Sequence, residues 1–192
     1  MGKFPEAKAA VDEAFDRYPG DAGLKELYAN VYLAHGIRLS GVAREMRRQE
    51  IDARGKPGEP YEDSDLVKAV FREMIDAFDR VLAVDPNHAK ALSLKAQAMF
   101  RLDRASRQAA LAVYDEAVRA LERTLPPDSA SLETGRRNLL AARRRIERPC
   151  EWCDDTGFCT ECGGSGWRTF LGFRRKCEAC LGHGTCKRCG VL

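Results

Sequence analysis

The sequence lacks any stretch long and apolar enough to cross a membrane, and its first residues lack the apolar core of a secretory signal. The opening segment, MGKFPEAKAAVDEAF, is interrupted by charged residues and a proline. A signal peptide needs an unbroken apolar run, and a membrane-spanning helix needs about 18 to 20 apolar residues. We therefore expect a soluble protein with no membrane partner and no visible export signal.

Cysteine is missing from the first 149 residues, and all eight cysteines lie between Cys150 and Cys189. They form four CxxC pairs. Disulfide frameworks of secreted proteins distribute cysteine less regularly, whereas repeated CxxC pairs are typical of metal sites in reducing compartments. The distribution predicts a cytoplasmic protein whose last 44 residues bind metal.

Signature motifs of several enzyme classes are also missing. The sequence contains no phosphate-binding glycine loop, no HExxH motif and no GxSxG motif, each of which marks a particular catalytic chemistry. Charge of one sign does not dominate either, because 32 Lys and Arg residues stand against 29 Asp and Glu residues. Net charge therefore does not indicate a nucleic-acid-binding protein. We expect a binding protein that is not an enzyme.

The first 148 residues do show helical periodicity. Apolar residues recur at helical spacing in one segment that includes Leu24, Leu27, Tyr28, Val31 and Tyr32, and in a second that includes Val67, Val70, Phe71, Met74, Phe78, Val81 and Leu82. Further helices are predicted over about 88–102, 105–125 and 129–147, with Pro86, Pro126 and Pro127 between them. No alternating strand pattern precedes residue 150, so this region is predicted to be all-α.

An internal repeat appears when the sequence is shifted by 67 residues. Identities within 26 positions join Phe4, Glu6, Ala10, Asp12, Pro19, Ala22 and Ala29 to Phe71, Glu73, Ala77, Asp79, Pro86, Ala89 and Ala96. The shift is close to twice the period of about 34 residues that is found in tetratricopeptide repeats. Ala7, Val11, Ala14 and Pro19 also have the spacing of the second helix of such a repeat.

On these residues the segment resembles a tetratricopeptide protein, which implies stacked helix pairs with a binding surface on the concave side. One departure is the stretch ARGKPGEPYED, residues 53–63, where two glycines and two prolines predict a loop in place of a helix. The sequence also opens on what would be the second helix of a repeat. The resemblance therefore implies further residues before Met1 in the natural protein.

From Pro149 onward the composition changes, and the four CxxC pairs are followed by glycines. Each CxxC places two thiolates on one turn, which supplies half of a tetrahedral zinc site. Four halves predict two zinc ions per chain. A redox role for a CxxC pair is the alternative, but four regular copies with adjacent glycines favour metal.

The spacing of the pairs suggests how they combine. Five residues separate Cys153 from Cys159 and Cys180 from Cys186, while fourteen separate Cys162 from Cys177. This symmetry is typical of a long hairpin, in which the inner pairs meet and the outer pairs meet. One zinc site would then be Cys159, Cys162, Cys177 and Cys180, and the other Cys150, Cys153, Cys186 and Cys189. Sequential pairing is the alternative, although five-residue linkers leave little chain for it.

The repeated CxxCxGxG pattern with its central hairpin resembles the cysteine-rich zinc domain of DnaJ-type co-chaperones, over residues 150–192 only. The second and third copies match fully. The first has Asp155 in place of a glycine, and the fourth has Val191 at that position and ends at Leu192. The sequence has no J domain and no β-sandwich client domain, so the resemblance does not imply stimulation of an Hsp70 ATPase.

Two basic segments are candidates for partner binding. The hairpin between the inner pairs interleaves aromatic and basic residues, and its candidate partner-binding residues are Trp167, Phe170, Phe173, Arg174 and Arg175. The alternative is that its aromatic residues cover a small core. The second segment contains Arg136, Arg137, Arg143, Arg144, Arg145 and Arg148. It is either a nucleic-acid patch or the solvated face of a terminal helix.

Taken together, the sequence predicts an all-α helical repeat, tetratricopeptide-like, plus a small zinc-stabilised β-hairpin module. The predicted domains are residues 1–148 and residues 149–192. The predicted function is that of an adaptor or co-chaperone-like assembly factor that holds a protein client or assembly partner. Nucleic-acid binding and thiol-disulfide exchange by a labile CxxC pair are the alternatives.

Overall fold

A computed structural model describes residues 4–54, 62–148, 150–153 and 157–188 of the chain. Within these ranges the chain is mostly helical and carries one small antiparallel hairpin. The helices are α1 (Phe4–Arg17), α2 (Ala22–Arg54), α3 (Asp65–Val84), α4 (Ala89–Leu102), α5 (Arg107–Thr124) and α6 (Ala130–Glu147). The strands are β1 (Trp167–Phe170) and β2 (Phe173–Lys176). Of the helices described, none is long and apolar enough to span a bilayer.

Side-chain caps and prolines explain where the later helices begin and end. Ser64 and Ser129 each accept a hydrogen bond from the backbone N–H three residues ahead, at 3.2 Å, and so begin α3 and α6. His88 caps α4 in the same way through Nδ1, at 3.3 Å. The predicted helices over 88–102, 105–125 and 129–147 are confirmed. Helix α6 begins at Ala130, one residue later than predicted, directly after its cap Ser129. Helix α5 begins at Arg107, two residues later than predicted, after a short 3₁₀ turn.

The 67-residue shift in the sequence also relates helix boundaries in the structure. Helix α1 ends at Arg17 and α3 ends at Val84, while α2 begins at Ala22 and α4 begins at Ala89, so both pairs of positions differ by 67. The two halves of the sequence match therefore have the same helix, turn and helix. Ala29 and Ala96, which the shift aligns, are both buried.

Helix α2 is longer than a tetratricopeptide pattern implies. It continues for 33 residues without a turn, although Gly36 and Gly41 lie inside it. The glycine- and proline-rich stretch predicted to be a loop begins in its last turn, and residues 55–61 lie outside the described part of the chain. A helix of this length measures about 50 Å.

Consecutive helices pack against each other from α1 to α6. The largest fully buried side chains of the helical region lie on α2, α3 and α5: Tyr32, Val67, Phe71, Phe78, Val81 and Tyr114. The helical face predicted around Phe71 and Phe78 is the face of α3 that is buried against α2 and α4. The core of this region is therefore apolar and continuous from α2 to α4.

Arg47 of α2 connects the helices to the cysteine-rich segment. Its guanidinium lies 4.7 Å from the centroid of the Phe71 ring and 5.9 Å from that of Phe158. Its Nε donates a hydrogen bond to Asp63 Oδ1 at 2.6 Å, and Nη2 contacts the other carboxylate oxygen. Arg47 is only 4% exposed, so an ion pair and two rings enclose its charge.

Candidate metal centres

Four cysteines from two CxxC pairs meet in one buried cluster, which we call the inner cluster: Cys159, Cys162, Cys177 and Cys180. All four Sγ atoms lie within 4.8 Å of one another. The Sγ atoms of Cys159 and Cys177 are 3.9 Å apart, and those of Cys162 and Cys180 are 3.7 Å apart. A tetrahedral zinc ion with Zn–S bonds of about 2.3 Å requires S–S separations of about 3.8 Å. The donor set and its spacing therefore fit zinc.

Each half of the inner cluster is a tight turn that folds back toward its own sulfur. In the first half, Gly164 N–H donates to Cys159 O at 3.1 Å and Gly166 N–H donates to Cys162 Sγ at 3.2 Å. The second half repeats these contacts. Its hydrogen bonds run from Gly182 N–H to Cys177 O at 3.0 Å and from Gly184 N–H to Cys180 Sγ at 3.3 Å. Backbone N–H groups that point at sulfur stabilise a thiolate ligand.

The two halves are joined to each other by a reciprocal pair of backbone hydrogen bonds. Cys159 N–H donates to Gly184 O and Cys177 N–H donates to Gly166 O, both at 2.9 Å. Together with the matching turns, these bonds relate the two CxxCxGxG copies by an approximate two-fold axis. The sequence repeat is thus visible as local symmetry around the inner cluster.

This symmetry brings glycines of the two halves into close contact. A Cβ atom built on Gly166 would lie 2.5 Å from Gly182 O, and one built on Gly184 would lie 2.2 Å from Gly164 O. Both glycines also have positive φ angles, of 73° and 72°. Glycine is the one amino acid that adopts this backbone conformation readily and has no Cβ atom to prevent so close an approach of the two backbones. The second glycine of each copy is therefore a requirement of the fold.

Three further cysteines form a second group, which we call the outer cluster: Cys150, Cys153 and Cys186. The Sγ atoms of Cys150 and Cys186 are 3.7 Å apart, again the edge of a zinc–sulfur tetrahedron. Cys189, predicted as the fourth ligand, lies outside the described residues. Two contacts join the segments on either side of the outer cluster. Cys186 N–H donates a hydrogen bond to Gly157 O at 3.0 Å, and Phe158 and Thr185 form an isolated β-bridge.

Burial keeps two of the inner thiols protonated when no cation is present, while hydrogen bonds outweigh burial at Cys177 and lower its pKa. Burial raises the pKa of Cys159 and of Cys162, and for Cys162 the hydrogen bond from Gly166 N–H acts in the opposite direction. Thiols with raised pKa values remain protonated at neutral pH, so a bound cation would have to displace their protons. Metal affinity at this cluster should consequently fall as pH falls.

The hairpin extends from the inner cluster and exposes its apolar tip. Leu171 and Gly172 form its two-residue turn, both with positive φ, which is the geometry that tight hairpins prefer. Phe170, Leu171 and Phe173 are 62%, 82% and 72% exposed. Phe170 pairs directly with Phe173 across the two strands. These side chains do not cover a core within the described part of the chain.

The strand register divides the candidate partner-binding residues between two faces. Because side chains alternate along a strand, one face carries Arg168, Phe170, Phe173 and Arg175, and we call it the Phe face. The opposite face carries Trp167 and Arg174, whose guanidinium lies 4.9 Å from the Trp167 ring centroid. The sequence analysis placed these residues in one group, because the pairing register between two strands cannot be determined from the pattern of either strand alone.

The second basic segment lies on α6 and is partly neutralised. Arg143 donates to Asp115 at 2.7 Å and to Glu147 at 3.1 Å, and Arg136 lies 3.5 Å from Glu122. Ile146 of the same helix is buried against α4 and α5. These contacts favour the interpretation of the segment as the solvated face of a packed helix.

Comparison with protein-family models, with curated proteins and with solved structures gives no match.

Proposed function

We propose that the protein is a zinc-binding interaction adaptor, in which a DnaJ-type cysteine-rich module with two zinc ions follows a tetratricopeptide-like helical scaffold. The observation that carries the proposal is the tetrahedral spacing of the inner cluster, with all four thiols buried. Four thiolates leave a zinc ion no open position for a substrate water. The proposed role of zinc is structural, and the proposed activity of the protein is binding.

Zinc accounts for the module better than disulfide exchange does. Catalytic disulfides need an accessible thiolate, whereas all four thiols of the inner cluster are buried, including Cys177, whose pKa is lowered by hydrogen bonds despite its burial. The module is also too short to bury a core of its own, because chains of about 40 residues usually need metal or disulfides to fold. Zinc would supply that missing stability.

The helical region supports a scaffold role. Each helix packs mainly against its neighbours in sequence, which is typical of repeat arrays. The 67-residue spacing between corresponding helix boundaries also supports a repeat array. The unbroken helix α2, however, departs from the tetratricopeptide pattern. We assign residues 1–148 to the scaffold and residues 149–192 to the zinc module, in a cytoplasmic protein whose partner is another protein.

The Phe face is the surface that we assign to partner binding. Two exposed phenylalanines side by side form an apolar patch, and exposed apolar patches of this kind mark interaction sites. Arg168 and Arg175 flank the patch on the same face. Apolar side chains with a basic rim suit an unfolded or acidic apolar segment of a client protein.

Elemental analysis of anaerobically purified protein tests the metal assignment. We expect two zinc ions per chain. Cys159→Ser and Cys177→Ser should each remove one ion, and the double variant should also lose only one, because both residues belong to the inner cluster. Loss of a second ion in the double variant would show that the two cysteines serve different sites. Four disulfides in place of zinc would contradict the assignment.

The hairpin assignment is tested by the double variant Phe170→Ser/Phe173→Ser. Burial of a Phe side chain contributes about 1.5–3 kcal/mol, so partner affinity should fall at least about ten-fold while zinc content stays at two. The readout is fluorescence anisotropy with a labelled, permanently unfolded client such as reduced carboxymethylated lactalbumin. Leu66→Ser removes another exposed apolar side chain, on α3, and is the matched control.

Two results would contradict the hairpin assignment. Loss of zinc in the double variant would make the two phenylalanines part of the module core. Salt-sensitive binding of a labelled single-stranded oligonucleotide, with no binding of the unfolded protein, would favour the nucleic-acid alternative.

A further inference from the structure

A cavity of about 270 Å³ lies between α2, α3 and α4, away from the cysteines. Its apolar wall is formed by Ile37, Met74, Phe78 and Leu94. Two arginines, Arg44 of α2 and Arg101 of α4, line the same cavity. An apolar wall combined with a few convergent polar groups is the usual composition of a small-ligand site.

A glycine of α2, Gly41, helps to keep the cavity open. Gly36 and Gly41 both line it, and a Cβ atom built on Gly41 would meet nothing within 4 Å. Glycine in a helix interior is less stable than alanine, so helix formation does not explain its presence there. The absent side chain at position 41 leaves space beside Arg44.

The two arginines of the cavity differ from two other arginines of the helical region, Arg47 and Arg143. Arg47 is paired with Asp63, and Arg143 with Asp115. In the described part of the chain, by contrast, no carboxylate pairs with Arg44 or Arg101. Arg101 is half-buried beside further arginines, and burial together with Arg47, Arg44 and Arg104 lowers its pKa to about 10. Positive charge is thus concentrated at this end of the cavity, where Arg44 and Arg101 both line it.

We propose that this cavity binds a small amphiphilic oxyanion, a carboxylate or phosphate carried on a short apolar chain. The oxyanion would lie between Arg44 and Arg101, because guanidinium groups bind carboxylate and phosphate with paired hydrogen bonds. The apolar chain would contact Met74, Phe78 and Leu94. The cavity is near the lower end of the size range of ligand sites, about 300–1,000 Å³, so it suits a ligand with a short chain. This site is independent of the zinc module.

Four probes that share one apolar chain test the proposal: hexanoate, hexyl phosphate, hexanol and hexylammonium. Titration of the full-length zinc-loaded protein is followed by the NMR signals of the arginine Nε–H groups. We expect hexanoate or hexyl phosphate to bind at least about ten-fold more tightly than hexanol, and hexylammonium not to bind. The tighter of the two anions identifies the headgroup as carboxylate or phosphate.

Variants locate the binding in the cavity. Arg44→Gln and Arg101→Gln should each weaken binding of the preferred anion about ten-fold, whereas Arg136→Gln removes an equal charge on α6 and should have no effect. Gly41→Leu keeps both arginines but places a side chain in the open space, and should abolish binding. Arg44 is exposed, so its variant stays informative if Arg101→Gln does not fold. Equal binding of hexanol and hexanoate, unchanged binding in Arg44→Gln, or no binding of either anion would overturn the proposal.

Discussion

Replacing Gly184 with alanine is expected to abolish zinc binding at the inner cluster while the helices remain folded. The new Cβ atom would lie 2.2 Å from Gly164 O, so the two halves of the cluster would have to separate. The positive φ of 72° adds backbone strain of about 1–3 kcal/mol. A separation of the halves also breaks the bond from Cys159 N–H to Gly184 O. We expect affinity for the inner zinc ion to fall at least about 100-fold.

The matched control for this variant is Gly172→Ala in the hairpin turn. Gly172 has a similar φ of 79°, but a Cβ atom there would meet nothing within 4 Å. The control variant therefore has the backbone strain of a positive φ but no steric overlap, and both zinc ions should be retained. Zinc transfer to a chromogenic chelator measures the affinities. Equal zinc loss in the two variants would mean that backbone strain alone, and not the contact between the halves, determines metal binding.

Replacing Gly36 with alanine is expected to destabilise the helical region by about 1–2 kcal/mol. The added methyl group would lie 2.4 Å from Phe78 Cε1, and Phe78 is fully buried among α2, α3 and α4. Overpacking a rigid core commonly costs about 1–3 kcal/mol. The higher helix propensity of alanine offsets only about 1 kcal/mol, which leaves a net loss because the methyl group would overlap the edge of the Phe78 ring.

Gly41→Ala provides a control of opposite sign in the same helix. Its Cβ atom would contact nothing within 4 Å, so only the propensity term remains and stability should rise by about 0.5–1 kcal/mol. Urea unfolding of zinc-loaded protein, followed by circular dichroism at 222 nm, measures both changes. A stabilising effect of Gly36→Ala would show that α2 and α3 move apart easily at this point.

Local patterns were sufficient to predict most of the helices. The apolar stripe of α3 and the prolines between later helices act over a few residues, so sequence alone indicates them. The length of α2 was not predictable in the same way. Gly36 and Gly41 are unfavourable in a helix, and their position is explained only by the Phe78 ring and the open cavity beside them.

The candidate sites also differ in how far the sequence could predict them. The symmetric CxxC spacing grouped the same four cysteines that the structure brings together in the inner cluster. The cavity could not be foreseen, because Arg44 and Arg101 lie on different helices and meet only when α2 and α4 are both packed on α3. The division of the hairpin into two faces likewise depends on the register between strands.

The contact of Arg47 with both Phe71 and Phe158 has a consequence for the orientation of the cysteine-rich segment. If that segment swung away from α2, the guanidinium would keep Phe71 and Asp63 and would lose its contact with the Phe158 ring. Both Arg47 and Phe158 are buried, and a desolvated cation–π contact contributes about 2 kcal/mol, which corresponds to a roughly thirty-fold preference for the docked orientation. A bias of this size keeps the hairpin in one direction for most of the time.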